Sequence, residues 1–210
     1  MSIHVLVGQT GKKTFVDILK ENGWGRMWTT HPPNPFSGEK WGFDNCAYSY
    51  WSNGLDFDED AFRKRMDRAY HKGPPYLAVV PDIVAGGVLS LEYSESWRTK
   101  LPTEWPWFLA VQDGMCVADV QPLVGHYAGL FLGGTNTFKA TAKDWCDLAH
   151  DHGLLFHYGR AGVPHKIEHA KSVGSDSLDS SFPLWTEERF KWFVEIVKNG
   201  HPQMDMMGRP

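Results

Sequence analysis

The chain is 210 residues long, 42% hydrophobic and 22% charged, which fits one globular domain and excludes wholesale disorder. Lys and Arg number 21 against 25 Asp and Glu, a formal charge of −4. Bulk positive charge is thereby excluded as the means of holding nucleic acid, and any such contact needs a local basic patch.

The first strand is expected over Ile3–Val7, followed by a Gly-rich corner and a helix over Thr14–Glu21 that buries Phe15, Ile18 and Leu19 at helical spacing. Residues 29–40, TTHPPNPFSGEK, hold three prolines and read as a loop. WGFDNCAYSYW follows, a mostly aromatic segment with one acid. The clearest amphipathic helix is Asp58–His71, whose charge run, Arg63 to Arg68, reads as a solvated face. Beyond it, four apolar runs alternate with helical patterns: 76–82, 107–114, 127–135 and 154–162. Helices are expected at 92–100, 117–124, 137–151 and 164–172, a short strand near Ser175–Asp179, and a closing helix over Thr186–Lys198.

Nearly continuous apolar runs suit parallel strands covered on both faces, and their alternation with helices implies a parallel sheet. A doubly wound sheet would usually carry a Gly-rich phosphate turn after its first strand. VLVGQTGKKT has neither the G-x-G-x-x-G nor the G-x-x-x-x-G-K-[ST] spacing. A closed barrel instead sets polar residues at the carboxyl ends of its strands, where its active site lies. Asp82, Gln112 with Asp113, Gly133 with Gly134, and Arg160 follow successive runs in that way. The expected fold is therefore a single compact α/β domain over 1–210, a TIM-like (β/α)8 barrel. Its length falls below the roughly 250 residues typical of that fold, so helices are expected to be trimmed or missing.

Three segments place acids for chemistry. Gly174–Trp185 sets Asp176 and Asp179 three residues apart among serines, either as turn formers and caps or as a carboxylate aimed into a barrel mouth. Asp44 lies among Phe43, Tyr48, Tyr50 and Trp51, where it is either an Asx-turn residue or a carboxyl whose pKa burial raises for acid–base work. Asp82 ends the run Val79-Val80-Pro81.

Taken together and in order, FDNCAYSYW, VVPDIVAGG, FLAVQDG, GLFLGGT and GSDSLDSS resemble the tRNA-guanine transglycosylase superfamily, over about residues 40–185. The likeness is closest to its short DNA-acting branch, the phage and bacterial enzymes that insert 7-deazaguanine bases into DNA. The resemblance implies a TIM barrel that exchanges a nucleobase without breaking the phosphate backbone. Asp179 matches the family's nucleophile, which attacks the sugar C1′, and Asp44 its acid–base or base-binding acid. Asp82, Gln112 and the Gly133–Gly134 backbone match positions that hydrogen-bond the base edge. Tyr48 is a stacking partner on this reading, and Arg160, with His157, reaches the site from a strand end to contact a phosphate. No cofactor is implied; the partners are DNA and a free 7-deazaguanine-type base.

The chain also departs from the family. It has no C-x-C-x-x-C zinc motif after Asp179, and Phe182-Pro183-Leu184-Trp185 stands where the family carries a basic residue. No tRNA-binding extension is expected after the closing helix. These differences point to DNA rather than tRNA. Base exchange is the leading reading, on the strength of Asp82 and Gln112. A hydrolytic DNA glycosylase on the same scaffold is the alternative, leaving an abasic site in repair or antiviral defence. A non-catalytic binding relic is the third, disfavoured by the presence of both Asp44 and Asp179.

Cys46, Cys116 and Cys146 form no C-x-x-C pair, so neither a disulfide framework nor a cysteine zinc site is expected. Histidines cluster from His150 to His169, and His165 and His169 are i, i+4, but without an H-E-x-x-H pattern no metal site is expected. Lys12, Lys13, Lys139 and Lys143 are the candidates for a local basic patch. No apolar run is long enough to span a bilayer and the start lacks a signal-peptide layout, so a cytoplasmic protein without membrane contact is expected.

Overall fold

Val5, Leu6 and Val7 have no solvent exposure, and the strand that holds them, β1 (His4–Gly8), closes a barrel. In the computed structural model, which describes residues 3–200, eight parallel strands pair in sequence order and β1 pairs with β8 (Ser177–Ser180). The others are β2 (Gly25–Trp28), β3 (Gly42–Phe43), β4 (Leu77–Val79), β5 (Trp107–Val111), β6 (Gly129–Leu132) and β7 (Leu155–Tyr158). The doubly wound alternative is therefore excluded, and the fold is a (β/α)8 barrel.

Around it run α1 (Lys13–Asn22), α2 (Ala47–Ser52), α3 (Glu59–Tyr70), α4 (Val88–Trp97), α5 (Val117–Val120), α6 (Asn136–Lys139), α7 (Ala142–Asp151), α8 (Pro164–Val173) and α9 (Glu187–Asn199). The trimming falls between β2 and β3, where a loop replaces the helix. Arg26 holds that loop down: its guanidinium donates to Glu39 at 2.6 and 2.8 Å, to Thr10 O and to Asn34 O.

Several expected boundaries move. No strand is expected over 25–28, yet β2 is buried throughout. The helix expected at 92–100 begins earlier, at Val88, and ends in a 3-10 turn over Arg98–Lys100. That expected at 117–124 gives way at Gln121 to a 3-10 turn containing Pro122, which cannot donate to a continuing α ladder. The 137–151 pattern splits in two around Ala140 and Thr141. The charge run of α3 is not simply solvated: Arg65 lies over the Phe43 and Phe62 rings.

Alternate residues face inward and outward. Leu6, Met27, Leu77, Val79, Phe108 and Ala110 fill the barrel, and His157, Ser177 and Asp179 continue that inner layer from β7 and β8. Gly129 makes room for Phe108, because a Cβ there would come within 2.3 Å of that ring. The larger core lies outside, between strands and helices. α1 contributes Phe15 and Leu19, α3 contributes Phe62, Met66 and Ala69, and α9 contributes Phe190, Phe193 and Ile196. Seven of the ten Trp, at 24, 28, 41, 97, 105, 107 and 145, are buried there, so most of the Trp excess fills core rather than lining a pocket. Among the described residues no helix is long and apolar enough to cross a membrane.

Candidate active site

The strands end in short polar segments, and their carboxyl ends surround one pocket. Val79, Ala110 and Phe131, from the uppermost inward positions of β4, β5 and β6, give it apolar walls. Eight residues singled out in the sequence line it: Asp44, Tyr48, Asp82, Gln112, Gly133, Gly134, Arg160 and Asp179; Asp176 does not, and its Oδ2 instead accepts the Phe156 N–H at 2.7 Å. Three carboxylates thus share one small, largely apolar space, and their surroundings drive them apart.

Asp179 lies within β8 with its side chain 18% exposed. Its Oδ1 is 3.0 Å from His157 Nε2 and accepts the Arg160 backbone N–H at 3.0 Å. Burial alone would raise its pKa, but the hydrogen bond and charge of His157, the Arg160 N–H and the charge of Lys139 together hold it below the usual value. His157 is itself fixed: Nδ1 is 2.8 Å from Ser177 Oγ, and its ring stacks on Phe131 with centroids 4.8 Å apart. Arg160 reaches its position through a left-handed backbone, φ 55°, uncommon for a non-glycine residue and itself a pointer to a functional constraint.

Asp44 follows β3 directly. Its Oδ1 accepts the Cys46 N–H at 2.5 Å, so the Asx-turn reading and the pocket reading both hold. Burial raises its pKa, the Cys46 N–H opposes this, and the nearby charge of Asp179 adds to the rise. Asp82 is pushed up to about 6, chiefly by burial. Asn45 Nδ2 donates to its Oδ1 at 2.7 Å and Gln112 Nε2 to its Oδ2 at 3.2 Å. An ionised Asp179 beside two acids of raised pKa is the arrangement that assigns different proton-transfer tasks to chemically identical groups.

The remaining expected residues take more specific places. The Gln112 amide is committed to the protein: Nε2 also donates to Ile83 O and Ser90 Oγ, and Oε1 accepts the Ala85 N–H at 2.7 Å. It orients Asp82 rather than standing free for a ligand. Gly133 donates its N–H to Val111 O at 2.9 Å. Gly134, at φ +73°, admits no side chain, since a Cβ would lie 2.6 Å from Asp113 Oδ2. Tyr48 is half-exposed, and the Arg160 guanidinium carbon sits 4.1 Å from its ring centroid. Arg160 also donates to Gly134 O at 3.0 Å, so this one side chain bridges the loops after β3, β6 and β7.

Asn45 and Arg65 were not among the residues expected in the site. Asn45 ties Asp82 to Val80 O and accepts the Ala47 N–H; Arg65, from α3, donates to the carbonyls of Thr29, Asp44 and Asn45. The one available sequence signal is the short polar island Asp44-Asn45 inside an aromatic segment.

The expected basic patch does not form. Lys12 pairs with Glu187 at 2.9 Å, Lys13 with Asp17 at 2.7 Å and Lys143 with Asp147 at 2.5 Å, which neutralises all three. Lys139 alone comes to the site, buried and bonded to Gly159 O. In the histidine cluster, His150 pairs with Asp176 and His169 meets the Tyr158 hydroxyl. Among the described residues no group of three or more His, Cys, Asp or Glu is arranged to hold a metal ion.

No protein-family model and no curated protein matches the chain. Among solved structures it is similar to an HpcH/HpaI aldolase from Desulfitobacterium hafniense DCB-2. The TM-score is 0.51 and the identity 10%, over 96% of this chain and 95% of that one. At that identity the likeness is one of fold alone, the TIM barrel.

Proposed function

We propose that this barrel cleaves the N-glycosidic bond of a nucleotide in DNA and exchanges its guanine for a 7-deazaguanine-type base. The single observation that carries this reading is the gathering of three carboxyls in one pocket, where His157 and the Arg160 N–H lie 3.0 Å from Asp179 Oδ1 and favour its carboxylate while burial raises Asp44 and Asp82. In the first step an Asp179 oxygen forms a bond to C1′ while the C1′–N9 bond breaks. Its electron pair passes into the purine ring, and Asp44 donates the proton that neutralises the leaving base. In the second, the incoming base attacks C1′ through its ring nitrogen, returns a proton to Asp44 and frees the Asp179 carboxylate.

Asp82 suits recognition of the base. Each of its oxygens takes one donor from the protein, from Asn45 or Gln112, and keeps capacity to accept an N–H of a guanine amide edge. The Gly134 amide is the backbone donor on this reading, because that of Gly133 is spent on Val111. Val79, Ala110 and Phe131 supply apolar surface for a ring, and a target within a duplex must first be flipped out to reach them.

The test is mass spectrometry of nucleosides and released bases after incubation with DNA, with and without a 7-deazaguanine base, beside Asp179→Asn. Exchange predicts the deazaguanine in DNA with equimolar guanine released, and neither with Asp179→Asn. Free base with matching abasic sites, independent of the added base, would replace exchange by hydrolysis on the same nucleophile. Activity that survives Asp179→Asn would overturn the nucleophile.

A further inference from the structure

A second hollow opens beside the base pocket. The two share Tyr48, Gln112, Gly134 and Arg160, and the second adds Trp51, Lys139 and Lys166. On a chain of net charge −4, whose surface lysines 12, 13 and 143 are neutralised by carboxylates, this hollow gathers three basic side chains. None of the three takes part in an ion pair among the described residues: Arg160 bonds Gly134 O, Lys139 bonds Gly159 O, and Lys166 stands in the first turn of α8. Asp113, the acid in the same wall, is engaged by the Thr135 N–H at 2.7 Å and hydroxyl at 2.6 Å. The three line one hollow, and burial brings the Lys139 ammonium down to about 7, with Asp179 opposing that fall and Arg160 and Lys166 adding to it. An anion placed among them offsets that fall. Trp51, half-exposed with its ring centroid 5.7 Å from that of Tyr48, offers a stacking face beside them, which suits a polynucleotide strand better than a free phosphate.

We propose that this hollow holds the phosphodiester of a DNA strand next to the target nucleotide, with Arg160 and Lys166 as its cationic contacts. This rests on the nucleotide reading of the adjoining pocket, but it concerns the backbone and not the base. The two are therefore separable. Lys166 plays no part in the chemistry above, and its removal should weaken binding whether or not the target base is present.

The experiment is fluorescence anisotropy with short single-stranded oligonucleotides carrying either a guanine or an abasic analogue at the target position, over a salt series. Wild type, Lys166→Ala, Lys166→Arg and the distant control Lys143→Ala are compared, with DNA and RNA arms. For Lys166→Ala we expect weaker binding of both DNA oligonucleotides and a slope of log K against log salt reduced by about 0.7, the value for one phosphate contact on a single strand. Lys166→Arg should restore both and Lys143→Ala should change neither. Wild-type affinity and slope in Lys166→Ala, or no DNA binding by the wild type, would overturn the proposal. A Lys166 effect confined to RNA would overturn the assignment to DNA. Binding of free guanine, read by Trp fluorescence, separates the two claims. If guanine binds and Lys166→Ala is silent on DNA, the groove fails and the base pocket stands; if guanine does not bind and the Lys166 effect persists, the groove stands and the base reading fails.

Discussion

His157 Nε2 lies 3.0 Å from Asp179 Oδ1, and the histidine has no solvent exposure of its own. A fully buried imidazole wedged between Ser177 and Phe131 cannot rotate away, so the Asp179 carboxylate is fixed in direction as well as in charge. The Asp179 carboxylate is thus set by β7 and β8 together, with the Arg160 amide as its second partner.

Replacing His157 by Phe keeps the stack on Phe131 and removes the hydrogen bond. The Asp179 pKa should then rise, and on the proposed reaction the acidic limb of the rate–pH profile should move to higher pH, because a hydrogen bond and a charge that favour the carboxylate are gone. Stability should follow the same group. The depressed pKa of Asp179 contributes stability that is present above the unfolded carboxylate value and lost as pH falls through the folded one. The unfolded titration is common to both chains, so the stability gap between wild type and His157→Phe should narrow as pH falls from the variant's higher folded Asp179 pKa through the lower one of the wild type, as measured by urea titration.

Asp82 titrates in the opposite sense. Its folded pKa of about 6 stands above the ordinary aspartate value of 3.8, so ionising it costs folding energy that is absent below the unfolded value and complete above the folded one. Asp82→Asn removes that cost. Any mismatch of the new amide with Gln112 is independent of pH and cancels when one pH is compared with another. The variant should gain on wild type between pH 4 and pH 7 by up to about 3 kcal/mol, following from a shift of roughly two units. Denaturant midpoints at the two pH values check this, and a gap that stays constant would show that Asp82 is not held protonated by burial.

The site was legible where strand ends expose it. Asp82, Gln112, Gly134 and Arg160 follow apolar runs directly, and a parallel barrel brings all such positions to one mouth whatever the loops between them do. β4 to β7 were legible for the same reason, since each lies within a mostly apolar run. β2 was not, because Gly25-Arg26-Met27-Trp28 carries a charge that is buried only through Glu39, thirteen residues further on. Asn45 and Arg65 escaped for a related reason: their work is on carbonyls and carboxyls from other segments. The lysine patch failed because α1 and α7 place an acid one turn after Lys13 and Lys143, while Lys12 finds Glu187 across the fold.

Arg65 acts on the pocket from behind. It donates to Thr29 O, to Asp44 O at 3.1 Å and to Asn45 O at 2.8 Å, and so fixes the segment that carries Asp44 and the partner of Asp82. A lysine has no fork with which to reach three carbonyls, and Arg65→Lys should behave much as Arg65→Met does. Each should cost about 2–3 kcal/mol in stability, since carbonyls bonded to a cation are left unpaired. The telling readout is kinetic. On the proposed reaction, kcat should fall with KM little changed in a variant that urea titration shows to be folded, because Asp44 loses its position while Tyr48 and the pocket walls stay in place.

The Arg26–Glu39 pair holds the loop that stands in for the missing helix, and its side chains are 6% and 0% exposed. Glu39 also accepts the N–H groups of Arg26 at 3.0 Å and Phe36 at 2.9 Å, so its loss leaves a buried guanidinium and two amides without their acceptor. Glu39→Ala should therefore cost about 3–5 kcal/mol, the price of a buried charge stripped of its partner. Arg26→Met with Glu39→Leu removes both charges together and should recover part of that loss, though not all, because Thr10 O, Asn34 O and the two amides remain unpaired. Urea denaturation of the two single variants and the double decides it. A double variant no more stable than Glu39→Ala would mean that the loop is held by the amide and carbonyl bonds rather than by the charge pair.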